Sequence, residues 1–379
     1  MSALFHNARV IAHHGVLDHG WVRVSGGLIV GLGEGAPPPE AGGEAVLDLG
    51  GAILGPGFID LHIHGAVGHD LMTASPDGFA EVARFLASHG VTAFLAATYS
   101  QSPEALRSAA LSIARNAGTE FDGARLLGAY LEGPYFSERR RGAHGAAHLR
   151  APDRGEVQAL IDTGGILVMS HAPELLGSEW LSSALTEAGI VVAVGHTDAT
   201  AAEIAVAVDR GATLVTHLFN GMRGIHHREP GTAGAALVND GLVCELIGDG
   251  VHLVPEILDL VWRVKGGDRI ALVTDGGPGM GLADTAVGGR VARLTDGTLS
   301  SSNMALDHGV RTLSRATGAP LEEIWPSAST VPARVLGMQN STGSIAVGLA
   351  ADLVSLDGAG AVQLTVVGGR VVFRGGAFS

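Results

Sequence analysis

Residues 55–65 read GPGFIDLHIHG. Glycine and proline open the segment as turn residues, and the short apolar run behind them suits a strand buried on both faces. His62 and His64 stand one residue apart in it. Alternate residues of a strand share a face, so both imidazoles leave the strand on the same side, an arrangement suited to gripping a metal ion from inside a barrel.

Outward from this strand the pattern repeats. Ser75-Pro76 is a helix start signal, and residues 76–90 carry Phe79, Val82, Ala83 and Leu86 at helical spacing. VTAFLAATY (91–99) reads as the next strand and residues 103–117 as the next helix. The strands continue as ARLLGAYLEG (124–133), GILVMSHAPE (165–174), IVVAVGHTD (190–198), ATLVTHLFN (212–220), VCELIGDGVH (243–252) and RIALVTDGG (269–277). Helical stretches such as 199–210 and 255–264 lie between most of them. Near-continuous apolar strands separated by helices imply a parallel sheet covered on both faces. Eight of them predict an α/β chain built as a (β/α)8 TIM barrel, over residues 54–341. A doubly wound open sheet is the alternative. Residues 1–53 and 342–379 differ, being valine-rich, alternating and punctuated by turns. Both ends are expected to pack together as a small β-sandwich domain beside the barrel.

Composition sets the outer bounds. The 379 residues carry 24 Lys+Arg against 38 Asp+Glu, a formal charge of −14. That balance argues against nucleic-acid binding, which favours a basic stripe. An anionic small molecule remains open, because the local field decides its binding. Cys244 is the single cysteine, so no intramolecular disulfide can form, and a reducing cytoplasmic location is expected. The opening residues lack the basic and apolar regions of a signal peptide, and no run approaches the ~20 apolar residues that span a bilayer.

Polar residues fall at the ends of the apolar runs: His62 and His64, Glu132, His171, His196, His217, Asp249 with His252, and Asp275. In a barrel the C-terminal ends of all strands converge on one face, where active sites are built. Glu132, His196 and His217 offer one carboxylate and two imidazoles, the set that holds a catalytic Zn²⁺ or Fe²⁺ with a position left for water. Asp275 is placed to take a proton from that water and return it to a leaving group. The bland readings are a packed thiol for Cys244, surface positions for His13, His14 and His19, a solvated loop for Arg139–Arg141, and a buried, hydrogen-bonded side chain for His171.

The series FIDLHIHG, LEGPY, GAH, APE, VGHTDAT, THLFNGM, HHREPG, DGVH, LVTD and a closing G-x-x-A-DLV resembles the N-acetylglucosamine-6-phosphate deacetylases of the amidohydrolase superfamily. The resemblance runs through most of the chain in the family's order. It implies a homodimer that removes acetate from a sugar amide, using one or two divalent metals per subunit, Zn²⁺ first and Fe²⁺ or Mn²⁺ as alternatives. It matches Glu132, His196 and His217 to the primary metal ligands, His62 and His64 to the pair supporting a second metal, and Asp275 to the catalytic aspartate, also near the metal. It matches His144 to a histidine contacting substrate and catalysis near the acyl group. It puts Asn220, Gly221 and His252 around the phosphate, with Arg228 reaching it from the neighbouring subunit, and substrate contacts near Met304.

The segments GGPGMG after Asp275 and LSSSNMAL around residues 301–304 depart from the family pattern. They leave N-acetylgalactosamine 6-phosphate open as the substrate. Another amidohydrolase reaction, on a cyclic amide or an N-acyl amino acid, is the further alternative. Members of that kind often bridge two metals with a carbamylated lysine, but Lys265, the lone lysine, is read in a polar turn before the last barrel strand. A catalytically silent sugar-phosphate sensor ranks last, since base and ligands are all present.

Overall fold

The computed structural model describes residues 2–39, 42–282 and 289–376. Eight parallel strands form one sheet in sequence order: β1 (Phe58–Ile63), β2 (Val91–Ala97), β3 (Arg125–Glu132), β4 (Ile166–His171), β5 (Val191–Val194), β6 (Ala212–Val215), β7 (Val243–Ile247) and β8 (Ile270–Val273). The ends of the sheet meet just past β8. The Asp275 N–H donates to the His62 carbonyl at 2.8 Å, and the His64 N–H donates to Gly276 at 2.8 Å. The sheet is therefore a TIM-type barrel, as expected, and not an open doubly wound sheet.

A helix follows each strand: α1 (Pro76–Ser88), α2 (Pro103–Asn116), α3 (Arg154–Ile161), α4 (Ser178–Glu187), α5 (Ala201–Asp209), α6 (Gly231–Val238), α7 (Pro255–Lys265) and α8 (Leu306–Thr317). Their starts follow local chemistry. Ser75 and Ser102 accept from the Gly78 and Ala105 N–H groups ahead of a first-turn proline. Thr200 and Glu203 form a reciprocal capping box at α5. In α1 the buried residues include Phe79, Val82, Ala83 and Leu86, the stripe read from the sequence.

Alternation divides the core in two. Phe58, Phe94, Leu126, Cys244 and Leu246 pack outward among the helices. Ile59, Leu61, Leu95, Tyr130, Val168, Leu214, Ile247 and Val273 fill the barrel, with Val331 and Ala333 packed against them. Lys265 corrects the sequence reading. It is the last residue of α7 and is buried, because its ammonium donates to the carbonyls of Ala236 (3.0 Å) and Asn239 (2.7 Å) that end α6.

Strands from both chain ends join one sheet, in the order Arg370–Arg374, Val362–Val367, Leu353–Leu356, Ile53–Pro56, Ser2–Ala12, Gly15–Ser25 and Leu28–Glu34, with Ala45–Asp48 beside Ser2–Ala12. Strand Leu28–Glu34, at one end of this order, meets the segment that leads into Leu353–Leu356: Ala351 N–H donates to Gly27 at 2.8 Å and Ile29 N–H to Leu349 at 2.9 Å. The enclosed core holds Phe5, Val22, Val24, Ile29, Leu54, Ile345, Leu353 and Val366. Strand Ile53–Pro56 runs directly into β1, and Trp325 ties this junction by donating from Nε1 to the Pro56 carbonyl at 2.8 Å.

Candidate metal centre

One carboxylate lies at the centre of the C-terminal face. Glu132, the last residue of β3, has His217 Nε2 at 2.8 Å and His196 Nε2 at 3.1 Å from Oε1. Around Oε2 stand His64 Nε2 at 3.3 Å, His144 Nε2 at 3.3 Å and His62 Nε2 at 3.7 Å. Asp275 Oδ1 approaches His64 Nε2 at 3.3 Å and His62 Nε2 at 3.8 Å. His62 and His64 do share a side, with their Nε2 atoms 3.2 Å apart.

Backbone conformation helps to aim these groups. His196, His217 and Asp275 lie just beyond β5, β6 and β8 with φ of 45°, 28° and 48°. Such left-handed values are uncommon for residues with a Cβ and cluster at functional sites, where the surrounding fold holds them. His196 and His217, two residues beyond the outward-packed Val194 and Val215, thereby turn to the barrel mouth against the strand's alternation.

Hydrogen bonds settle which ring nitrogen faces inward. His144 Nδ1 accepts from the Ser100 N–H at 3.1 Å, so its neutral ring carries the proton on Nε2, toward Glu132. His196 Nδ1 donates to the Arg140 carbonyl at 2.9 Å and leaves the Nε2 lone pair facing Glu132. His62 Nδ1 pairs with Glu245 Oε2 at 3.2 Å. His64 Nδ1 and His217 Nδ1 are buried without a hydrogen-bond partner among the described residues.

Burial and charge pull the titrations apart. Burial pushes the Glu132 carboxyl up, but the facing His144 and His62 outweigh it and hold it well below the usual range. Burial likewise raises Asp275, and the His64 hydrogen bond and the His62 charge bring it below its usual value. His64 is pushed down by burial yet carried to about 9 by Asp275 and Glu132. His196 falls to about 4 through burial and the adjacent His144.

Two overlapping groups, His62–His64–Glu132 and Glu132–His196–His217, have ligand atoms within 4.8 Å of one another. Imidazole nitrogens and a shared carboxylate oxygen suit a divalent transition metal. The inward lone pair on His196, whose Nδ1 is committed to the Arg140 carbonyl, fits an imidazole that faces a cation.

Two adjoining cavities open beside these groups. One, of about 200 Å³, is lined by Glu132, His144, His196, His217 and Asp275, and also by Asn220, Gly221 and His252. The other, of about 430 Å³, shares Glu132 and His144 and adds His64, Tyr99, Ser100, Gln101 and His148. His252 is steadied by Asp249, whose Oδ2 lies 2.6 Å from its Nδ1. Arg228, in an exposed loop, lines neither cavity, and neither does Met304, whose N–H binds Ser302 Oγ at 3.1 Å. A hairpin of Val291–Arg293 and Leu299–Ser302 instead brings residues 298–301 over the site.

His171 is buried and pairs with Ser182 Oγ at 2.9 Å, and burial takes its ring down to about 4. The charge run 139–141 is tied down: Arg140 Nε donates to Asp198 at 2.9 Å and Arg141 to the His144 carbonyl at 2.8 Å. Sequence reasoning missed Tyr99, Ser100, Glu245 and the hairpin. The strand end ATYS was the available signal for the first two.

The model of the amidohydrolase family matches residues 53–372. The chain belongs to the amidohydrolase family. It is a hydrolase of that family, and relatives that span it at about one-third identity are sugar-phosphate deacetylases. It is 36% identical to the N-acetylglucosamine-6-phosphate deacetylase of Vibrio furnissii, covering 86% of this chain and 84% of that protein. It is 33% identical to the N-acetylgalactosamine-6-phosphate deacetylase of Escherichia coli O157:H7, covering 98% and 99%. A solved structure of a mutant N-acetyl-D-glucosamine-6-phosphate deacetylase from Mycobacterium smegmatis, in complex with N-acetyl-D-glucosamine-6-phosphate, superposes with a TM-score of 0.92 at 33% identity, over 98% of this chain and 99% of that one.

Proposed function

We propose that this chain hydrolyses the acetamide of N-acetylglucosamine 6-phosphate to glucosamine 6-phosphate and acetate. The observation that carries the reading is the shared 200 Å³ cavity. Its wall joins the Glu132–His196–His217 group, Asp275 and His144 to Asn220, Gly221 and His252, the residues expected at the phosphate.

Glu132, His196 and His217 would hold one divalent cation, Zn²⁺ first with Fe²⁺ or Mn²⁺ as alternatives, and His62, His64 and Asp275 would help to hold a second. When bound, the cation supplies a water of lowered pKa and polarises the acyl carbonyl. Asp275 is the general base. Its carboxylate accepts the proton of the attacking water at Oδ1 and later delivers it to the sugar nitrogen as the C–N bond breaks. His144 donates from Nε2 to the carbonyl oxygen as negative charge develops there, with Ser100 keeping the proton on that nitrogen. His252, oriented by Asp249, binds the phosphate together with the Gly221 backbone and Asn220. Arg228 would complete this anion site from the partner protomer of a homodimer acting in the cytoplasm.

Acetate release tests the reading, with N-acetylglucosamine 6-phosphate, N-acetylgalactosamine 6-phosphate and unphosphorylated N-acetylglucosamine as substrates. Each is run with metal-stripped protein and after adding Zn²⁺, Mn²⁺ or Fe²⁺. Metal-dependent turnover of the glucosamine phosphate is expected. Preference for the galactosamine phosphate would move the assignment to the activity of the Escherichia coli relative, which aligns over nearly the whole chain. No turnover on any of the three would overturn the deacetylase reading.

A further inference from the structure

Glu245 sits mid-way along β7 and is fully buried. Cys244 and Leu246 on either side pack outward, so alternation turns Glu245 into the barrel with Ile247. A buried carboxylate there requires partners. Its Oε2 has two, the His62 Nδ1–H at 3.2 Å and the His217 main-chain N–H at 3.2 Å. Its own carbonyl accepts from the Leu218 N–H at 2.9 Å. One residue thus grips a member of each three-residue group.

The two grips are unequal. His217 also remains tethered through the Leu218–Glu245 main-chain bond, which any side chain at position 245 preserves. His62 depends on the carboxylate itself. Donation from Nδ1 leaves the neutral ring's lone pair on Nε2, the atom 3.2 Å from His64 Nε2 and 3.7 Å from Glu132 Oε2. Tyr130 stacks on the same ring with centroids 4.4 Å apart, which fixes its plane but not which nitrogen carries the proton.

We propose that Glu245 is a positioning residue that lets the His62–His64–Glu132 group retain a cation, by fixing the tautomer and aim of His62. The proposal rests on the reading of the site as a metal centre. Carboxylates behind a metal-binding imidazole typically contribute 10–100-fold in metal affinity.

The test is calorimetric titration of chelator-stripped protein with Zn²⁺, with the metal content of the dialysed protein measured in parallel. The wild type is expected to take two equivalents. Glu245→Leu, close in volume but without an acceptor, is expected to weaken one of them by about 10–100-fold and leave the other unchanged. Glu245→Gln keeps an acceptor oxygen for His62 and is expected to restore most of the loss. In a His62→Asn background, Glu245→Leu should cost no further affinity. Should Glu245→Leu not fold, the Gln variant carries the comparison, with a smaller loss expected, confined to the same equivalent. Unchanged affinities, equal loss of both equivalents, or full loss added on top of His62→Asn would overturn the proposal. A wild type that takes one equivalent would also overturn it while leaving the metal centre standing. One that takes none removes both.

Discussion

The main-chain N–H of Asp275 donates to the carbonyl of His62 at 2.8 Å. That bond closes the barrel between its first and last strands, and it also sets the spacing between a proposed metal-ligand histidine and the proposed base. Asp60 reinforces the seam. Its Oδ2 accepts from Thr274 Oγ1 at 2.6 Å, and its Oδ1 accepts from the N–H groups of Thr274 (3.2 Å) and His62 (3.3 Å). The bonds that close the barrel therefore also fix this side of the site.

Because the seam uses main-chain atoms of Asp275, its side chain can be altered without opening the barrel. Asp275→Asn is expected to keep the cation of the Glu132–His196–His217 group within about twofold while kcat falls by about three orders of magnitude, the loss of a proton acceptor together with its charge. Steady-state kinetics with metal analysis of the same sample checks both halves. Retained turnover would remove Asp275 from the proton-transfer role.

His144 is held as an Nε2–H donor by Ser100. His144→Phe keeps a ring beside Phe136 but cannot donate, and kcat should drop by about 10²–10³ with little change in KM. A change confined to KM would instead make His144 a substrate-binding group alone.

Arg228 lines neither cavity within one chain. If it meets the phosphate from a partner, Arg228→Ala should raise KM for the phosphorylated sugar at least tenfold and leave the unphosphorylated sugar unaffected. Mixing Arg228→Ala with a base-deficient Asp275→Asn protein should recover activity in the mixed dimers, which an arginine acting within its own chain would not allow.

Asp198 gathers three arginines. Arg223 lies at 3.0 Å, Arg140 at 2.9 Å and Arg139 at 3.5 Å. The Arg223 hydrogen bond, with help from Arg140, takes the carboxyl from the ordinary 3.8 to about 2. A pKa depressed by folding adds stability that is present above the unfolded value and is lost as pH falls through the folded one. The loss should thus appear as pH drops from about 4 to about 2. Melting curves across that window should show a shallower acid slope for Asp198→Asn than for the wild type.

Gly55 allows Trp325 to close the junction between the terminal sheet and the barrel. A Cβ at position 55 would lie 2.2 Å from Trp325 Cε2, and Trp325 is fully buried with its Nε1 committed to Pro56. Gly55→Ala should destabilise the fold by about 1–3 kcal/mol, the usual cost of overpacking a core. Thermal unfolding reads this directly.

The strand–helix alternation and most of the residues around Glu132 were legible because their ligand-type side chains stand at or near the ends of apolar strands. Glu245 was not, since it lies inside such a run, and a strand buried on both faces gives no clue to which side a residue takes. Its role exists only once β7 is seen beside β1 and β6. Ser100 was hidden for a similar reason: it acts through its N–H, which has no signature in the sequence. The pairing of Ala45–Asp48 beside Ser2–Ala12, and the hairpin over the site, depend on non-local contacts that local patterning does not encode. The 139–141 run looked like a solvated loop because its partner Asp198 is distant in sequence.

The terminal sheet bears on how the chain is made. Pro56 pairs with Leu353, and Ile53 with Leu356, so the first of these strands has no partner on one edge until the whole barrel between them has been synthesised. At about 5–20 residues per second that wait is on the order of tens of seconds, far longer than a hairpin takes to form. The nascent chain must therefore carry an open strand edge for as long as the barrel takes to be translated. Messages truncated within the barrel would release products with that edge permanently bare, the form in which this fold is most exposed to aggregation and degradation.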